Sequence, residues 1–217
     1  MEVRATIDRL VLEGTVVARS DGTMHEIFPV AVGPAEGEAL RGWVIRERAR
    51  KTLEIGLGYA LSTLYICDGL LNDDAPEAQH IVIDPFQHAR FADCGLQVLQ
   101  DAGIRDLVEH HPVGSEVVLP RLAAEGTQFD LAFVDGNHRF DAVFVDLFYL
   151  GRLIKPGGVV FLDDYQLPAI PRAAAFYLSN LGWSLEEVST SDSLHHWAVL
   201  RTSRDPDDRL FDYFVNF

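Results

Sequence analysis

The chain has 217 residues, an apolar fraction of 48% and a formal net charge of −15. That length supports one α/β domain with a real core, and the charge argues against a nucleic-acid partner or an anionic membrane surface, both of which call for a basic face. Cys67 and Cys94 are the only cysteines, too few for a disulfide framework or a zinc ligand set.

No apolar run reaches the ~18 residues of a membrane span, and the first residues lack the apolar segment of a secretory leader. The expectation is a cytoplasmic protein. Residues 1–35 read as an irregular N-terminal arm or lid, with Leu10–Val17 as a strand or short helix and breaks at Gly22, Pro29, Gly33 and Pro34. Residues 36–217 read as one domain. Leu40, Trp43, Val44 and Glu47 recur near helical spacing, which predicts a helix over Glu36–Arg50. Thr52–Ile55 is a short apolar strand, followed by a glycine turn and a helix from Tyr59 to about Leu71. A turn-rich loop follows at residues 72–76.

His80–Asp84 is the second strand, stopped by Pro85, and Arg90–Ala102 a helix with Gly103 as its C-cap. Leu107–His111 is the third strand, and Ser115 caps a helix to Glu125. Phe129–Asp135 is the fourth strand. Phe140–Ile154 is an apolar helix ended by the Lys-Pro-Gly-Gly run at 155–158, and Val159–Asp163 is the fifth strand. Ile170–Leu181 is a helix, Trp183–Val188 and His195–Leu200 form a terminal antiparallel pair, and Leu210–Phe217 is an aromatic tail that packs on the body or on a partner. Short apolar strands alternating with helices predict a Rossmann-like, doubly wound sheet of five parallel strands plus the terminal pair, with helices on both faces. Ligands of such folds bind at the carboxyl ends of the strands.

Those strand ends carry the chemistry. Gly56 and Gly58 let the chain turn sharply beneath a ligand, and the turn opens a helix N-terminus that favours an anion. Glu54 would repel a pyrophosphate but attract an ammonium group. Leu61 stands where a dinucleotide motif asks for a small residue. An adenosyl ligand with an amino group and a carboxylate therefore fits better than a dinucleotide. Asp84 can accept hydrogen bonds from ribose hydroxyls, or else serve as a turn residue before Pro85. Ser115 and Glu116 lie where an adenine edge would rest, though Ser115 is also a good N-cap. Asp135, Asp163 and Asp164 end neighbouring strands. Carboxylates that converge repel unless a cation sits between them, and an oxygen-only set suits Mg²⁺, Mn²⁺ or Ca²⁺. The alternative is that Asp163 or Asp164 caps the next turn and the others face solvent. His138, three residues after Asp135, can take a proton from a substrate hydroxyl or can be an ordinary surface residue. His195 and His196 read as structural residues on a late strand.

The stretch Leu53-Glu-Ile-Gly-Leu-Gly-Tyr-Ala-Leu-Ser-Thr-Leu-Tyr-Ile-Cys67, then Ile83-Asp-Pro-Phe86, then Phe129 to Tyr165 resembles class I S-adenosylmethionine-dependent methyltransferases. The nearest group is the one with macrolide-sugar O-methyltransferases and cephalosporin-biosynthesis relatives, over roughly residues 36–182. The resemblance implies a methyltransferase acting on a small-molecule hydroxyl; association as a homo-oligomer is a separate expectation. It implies that the turn from Gly56 through Tyr59 to Ser62 holds the methionine moiety, that Asp84 binds the ribose, and that Ser115 and Glu116 flank the adenine. It further implies that Asp135, Asp163 and Asp164 hold a divalent cation, Mg²⁺ by expectation, and that His138 is the general base. The sequence departs from the family pattern at Ala60, where a second glycine is usual. A metal-free O- or N-methyltransferase and a non-catalytic adenosyl-binding protein remain as alternatives.

Overall fold

The structure is a computed structural model, and it describes residues 2–73, 77–189 and 195–217. The chain divides into two compact units, residues 1–114 and 115–217. The loop expected at 72–76 lies partly outside the described residues.

The first unit contains helix α1 (Glu2–Glu13), a hairpin of β1 (Thr15–Val17) and β2 (Met24–Glu26), and helix α2 (Pro34–Arg46). Strand β3 (Lys51–Ile55), helix α3 (Leu61–Leu70), strand β4 (Gln79–Ile83), helices α4 (Gln87–Phe91) and α5 (Cys94–Asp101), and strand β5 (Val108–His111) complete it. Strands β3 and β5 both pair with β4 in parallel, with Ile55 beside Ile83 and Ile83 beside His111. Their carboxyl ends therefore share one rim. The inner residues Leu53, Ile81, Val82 and Ile83 are essentially inaccessible, as strands covered on both faces require. Helices α2 and α3 pack closely because Gly37 lies against the Tyr65 ring and Gly69 against Val44, where a Cβ would collide.

The first 35 residues are more regular than the sequence reading had them. Val3, Ile7 and Leu10 recur at helical spacing and form the buried stripe of α1. Arg4 of α1 and Arg41 of α2 both pair with Asp68 of α3, which ties the three helices together. The single helix expected over 90–102 is two helices, separated by Ala92 and Asp93 in the left-handed region. At its end Gly103 N–H bonds the Gln100 carbonyl and Ile104 N–H the Leu99 carbonyl. This double bond pattern closes the helix, with Gly103 at the positive φ of +69° that the cap requires.

The second unit contains α6 (Ser115–Ala124), β6 (Phe129–Val134), α7 (Phe140–Leu153), β7 (Ile154–Leu162), α8 (Ala169–Asn180), β8 (Ser184–Val188) and β9 (Ala198–Arg201). Strands β6 and β7 run parallel, β9 pairs antiparallel with β7, and β8 pairs antiparallel with β9. The five parallel strands and the terminal antiparallel pair match the expected architecture. One boundary differs. The Lys-Pro-Gly-Gly run does not precede the strand but lies inside it, as an irregularity where the register passes from Phe129 beside Ile154 to Leu131 beside Val159. The core is aromatic: Phe133 and Phe161 meet edge-on, and Tyr177 is enclosed and donates its hydroxyl to the Phe144 carbonyl. The tail packs on the body of this unit, where Asn180 bonds both backbone groups of Val215 and Phe217 meets Phe176. Leu210 and Phe211 stay exposed. No helix among the described residues is long and apolar enough to cross a membrane.

Candidate active site

The glycine turn follows β3 in the first unit. Gly56, Gly58 and Ala60 all have positive φ, at +101°, +50° and +67°. Ala60 therefore adopts a conformation that suits glycine, at a cost of about 1–2 kcal/mol. A Cβ at Gly58 would meet only Val30 Cγ1, at 3.8 Å, so Gly58 is needed for its backbone shape rather than for space.

Asp84 holds this turn. Its Oδ2 accepts hydrogen bonds from Leu57 N–H (3.1 Å), Gly58 N–H (3.0 Å) and Gln87 Nε2 (2.8 Å), and its Oδ1 accepts one from Phe86 N–H (2.7 Å). Gln87 Nε2 also bonds the Gly58 carbonyl at 2.8 Å. Helix α5 supports the turn from the other side: a Cβ on Gly95 would lie 2.5 Å from the Gly58 carbonyl oxygen. Gln87 and Gly95 escaped the sequence reading, because neither residue type signals a role until the packing is known.

Glu54 is placed differently from the expected ammonium contact. Its side chain is fully enclosed. One carboxylate oxygen accepts from Ser62 Oγ, and the other from Thr63 Oγ1 and from His80 Nε2 at 2.9 Å. His80 Nδ1 in turn lies 2.8 Å from Thr52 Oγ1. This buried network joins β3, α3 and β4, and it occupies the Ser62 hydroxyl expected near a cofactor carboxylate. A buried carboxylate is costly unless its oxygens are satisfied, and here three donors satisfy them.

Tyr59 stands at the top of the turn. Its ring meets Phe91 edge-on, and its hydroxyl lies 3.3 Å from His25 Nδ1 on β2. The β1–β2 hairpin is held to α5 by Gln97, which bonds the Val17 carbonyl and the Arg19 N–H, and by an Arg19–Asp101 ion pair.

The second unit supplies the other candidate residues. Ser115 opens α6 and its side chain hydrogen-bonds Asp146 of α7. Asp146 is only 2% exposed; burial pushes its carboxyl up to about 6, while the Ser115 hydrogen bond opposes that rise and the Glu116 charge adds to it. Glu116 itself is exposed.

At the carboxyl ends of β6 and β7, Asp135, Asp163 and Asp164 come together with two histidines. His138 Nδ1 lies 3.2 Å from Asp164 Oδ2, and its Nε2 lies 3.3 Å from Asp135 Oδ1. His195 Nδ1 lies 3.1 Å from Asp164 Oδ1 and 3.7 Å from Asp163 Oδ2. Asp164 thus shows one oxygen to each histidine, from a backbone at φ +51°, a conformation uncommon outside glycine but one that aspartate adopts more readily than most residues. The imidazole of His195 is pushed up to about 9, by hydrogen bonding to Asp163 against the opposing effect of burial, with Asp164 and Asp135 adding to the rise.

Among the described residues, two triads have ligand atoms mutually within 4.8 Å: Asp135, His138 and Asp164, and Asp163, Asp164 and His195. The expected three-carboxylate set is therefore divided, with Asp164 common to both groups. His195, read from the sequence as structural, lies beside Asp163 and Asp164. The antiparallel register sets Leu162 beside Ala198, and just beyond the strand ends Tyr165 N–H bonds the His196 carbonyl. That brings His195 alongside the two aspartates.

Residues 53–165 match the family model described as a methyltransferase domain. A relative from Mycobacterium sp. (strain JLS), to which O-methyltransferase activity is ascribed, is 30% identical over 164 residues, covering 75% of this chain and 70% of that one. The chain belongs to the class I S-adenosylmethionine-dependent methyltransferases. Solved structures share its fold. The O-methyltransferase from Bacillus cereus, in complex with SAH, superposes with a TM-score of 0.73 at 18% identity, covering 92% of this chain and 91% of that one. The O-methyltransferase TomG from Streptomyces achromogenes, in complex with SAM, gives a TM-score of 0.69 at 20% identity, covering 93% and 89%. Family membership makes this methyltransferase an enzyme whose methyl donor is S-adenosylmethionine.

Proposed function

We propose that this methyltransferase O-methylates a small-molecule hydroxyl, with His138 as the general base and the glycine turn of the first unit as the donor's seat. One observation supports the base assignment most. His138 Nε2 is buried and makes no hydrogen bond among the described residues, although Asp135 Oδ1 is 3.3 Å away. With Nδ1 turned to the Asp164 carboxylate, the neutral ring carries its proton on Nδ1 and a lone pair on Nε2. Two acceptor atoms then face each other, an arrangement suited to a proton donor or a cation between them. An acceptor hydroxyl answers the first description: Nε2 takes its proton, and Asp164 orients the ring and stabilises the imidazolium that results.

The turn fits the donor. Gly56, Gly58 and the start of α3 present backbone groups without side chains, and a carboxylate at a helix N-terminus gains from the free N–H groups there. Asp84 contributes more to this seat than ribose binding alone. Three donors already converge on Oδ2, so the remaining capacity for a ribose hydroxyl lies at Oδ1. The N-terminal segment serves as the cover of the seat, with His25 on Tyr59 and Val30 over Gly58. Glu54 acts from beneath, as the anchor of β3 to α3 and β4.

The donor set at the ends of β6 and β7 fits a divalent cation: three carboxylates and two imidazoles, with Asp163 2% and Asp164 8% exposed. Bound there, a cation would lower the pKa of an acceptor hydroxyl and offset the repulsion between carboxylates. The reading is tested by incubating the protein with methyl-labelled S-adenosylmethionine and a panel of phenols, sugars and amines, with the product located by NMR. An O–CH₃ signal is the expected result, and label on nitrogen alone would overturn it.

A further inference from the structure

We propose that His195 is a ligand of the cation site, that the ion sits among Asp163, Asp164 and His195, and that the site accordingly prefers an ion such as Mn²⁺ to Mg²⁺. This rests on the methyltransferase reading only for the purpose of the site; the argument for the ligand set is geometric.

Neighbouring donors in an octahedral shell with bonds of ~2.1–2.2 Å stand about 3 Å apart. His195 Nδ1 is 3.1 Å from Asp164 Oδ1 and 3.7 Å from Asp163 Oδ2. The His195–Asp164 pair already has the spacing of a coordination shell, and all three ligand atoms lie within 4.8 Å of one another. Asp163 and Asp164 are also the two most enclosed carboxylates of the cluster, while the Asp135 side chain is 19% and that of His138 32% exposed. Two adjacent carboxylates withdrawn from water gain most from a cation.

The backbone next to His195 is fixed at residue 196. Tyr165 N–H bonds the His196 carbonyl at 2.7 Å, and Gln166 accepts from His196 N–H while donating to Asp164 Oδ1 at 2.6 Å. A ligand carried on a backbone fixed in this way loses less freedom on binding. The arrangement also divides the work. Asp164 Oδ1 faces the ion with His195, and Asp164 Oδ2 faces His138, which stays available for proton transfer.

An imidazole in the shell changes the choice of ion. Mg²⁺ prefers oxygen ligands and keeps its waters, whereas imidazole nitrogen strengthens binding of first-row transition ions. The expectation of Mg²⁺ assumed an oxygen-only set, and His195 removes that assumption.

The test uses the full chain, stripped with EDTA and titrated with MnCl₂ or MgCl₂ alone by calorimetry, with pulsed EPR of the Mn²⁺ form. Wild type should bind one Mn²⁺ at least tenfold more tightly than Mg²⁺ and show ¹⁴N modulation from a bound imidazole. His195→Ala and the closer-sized His195→Gln should both lose the ¹⁴N signal and most of the preference, at unchanged melting temperature. His138→Ala should keep both. If the ¹⁴N signal survives in both His195 variants, or if it vanishes in His138→Ala, the ion does not sit where proposed. Equal affinity of wild type for the two ions, or no Mn²⁺ binding, would also overturn the proposal. S-adenosylmethionine affinity measured in EDTA separates these failures from failure of the methyltransferase reading, since the donor should bind without metal.

Discussion

The carboxylate of Asp84 reaches back to the glycine turn and accepts a hydrogen bond from the Gly58 N–H at 3.0 Å. An acidic residue that ends one strand thereby fixes the backbone conformation that follows its neighbour. In the proposed reading, its role in donor binding is inseparable from its role in shaping the turn.

Asp84→Ala should consequently do two things. Removing the acceptor strands the buried Leu57 N–H outright and the half-buried Gly58 and Phe86 N–H groups in part, while Gln87 Nε2 keeps the Gly58 carbonyl; a fully buried unsatisfied group costs about 1–3 kcal/mol. Stability should fall by roughly 2–4 kcal/mol without any ligand present, and donor affinity should fall as well. Urea unfolding and calorimetry with S-adenosylmethionine measure the two effects. Weakened binding at unchanged stability would show that Asp84 touches only the ribose.

Gly95→Ala tests the support of the turn from α5. The added Cβ would stand 2.5 Å from the Gly58 carbonyl oxygen and 2.7 Å from Gln87 Oε1, so the turn or the helix must shift. A loss of about 1–3 kcal/mol in stability is expected from overpacking, with donor affinity reduced at least as much as for a distant helix substitution of equal cost. Native affinity in a stable Gly95→Ala protein would mean that the turn is not held from this side.

Asp146 makes stability depend on pH in a defined direction. Its carboxyl, with an ordinary value of 3.8, stands at about 6 in the fold. The folded state therefore holds the proton more tightly than the unfolded chain does. That stabilisation is present in full below pH ~4 and is lost as pH rises through 6, a loss of ~3 kcal/mol at neutral pH. Asp146→Asn keeps an acceptor for Ser115 and removes the titration. The variant should melt higher than wild type at pH 7.5, and the difference should shrink as pH falls from 6 toward 4. A pH-independent difference would remove Asp146 as the cause.

Much of this was legible in the sequence, and the losses have physical reasons. The five parallel strands, the glycine turn and the acidic strand ends are local features, and each stands where hydrophobic pattern and turn residues put it. Glu54 was legible as a strand-end carboxylate but not as an enclosed one. A strand covered on both faces gives no alternation to tell which side chains point at the rim. His80, its partner, sits on the next strand, and only the β3–β4 register joins them. The position of His195 was missed for a similar reason. The terminal pair was read as strands facing each other, whereas β9 pairs with both β8 and β7, and that second pairing delivers the histidine. Asp146 lies within a helix that reads as apolar, and its burial follows from the packing of α7 rather than from residue type. In α1 the stripe of Val3, Ile7 and Leu10 was present but obscured by the charges between them.

The most direct test of the account is the turnover of His138→Ala with an acceptor shown to be methylated on oxygen, measured from pH 6 to 9 beside donor affinity. If His138 Nε2 takes the acceptor's proton, turnover should fall by ~10²–10⁴-fold while S-adenosylmethionine binds as in wild type. A His138→Ala protein that keeps wild-type turnover across this range, on an acceptor that is not already ionised, would contradict the assignment.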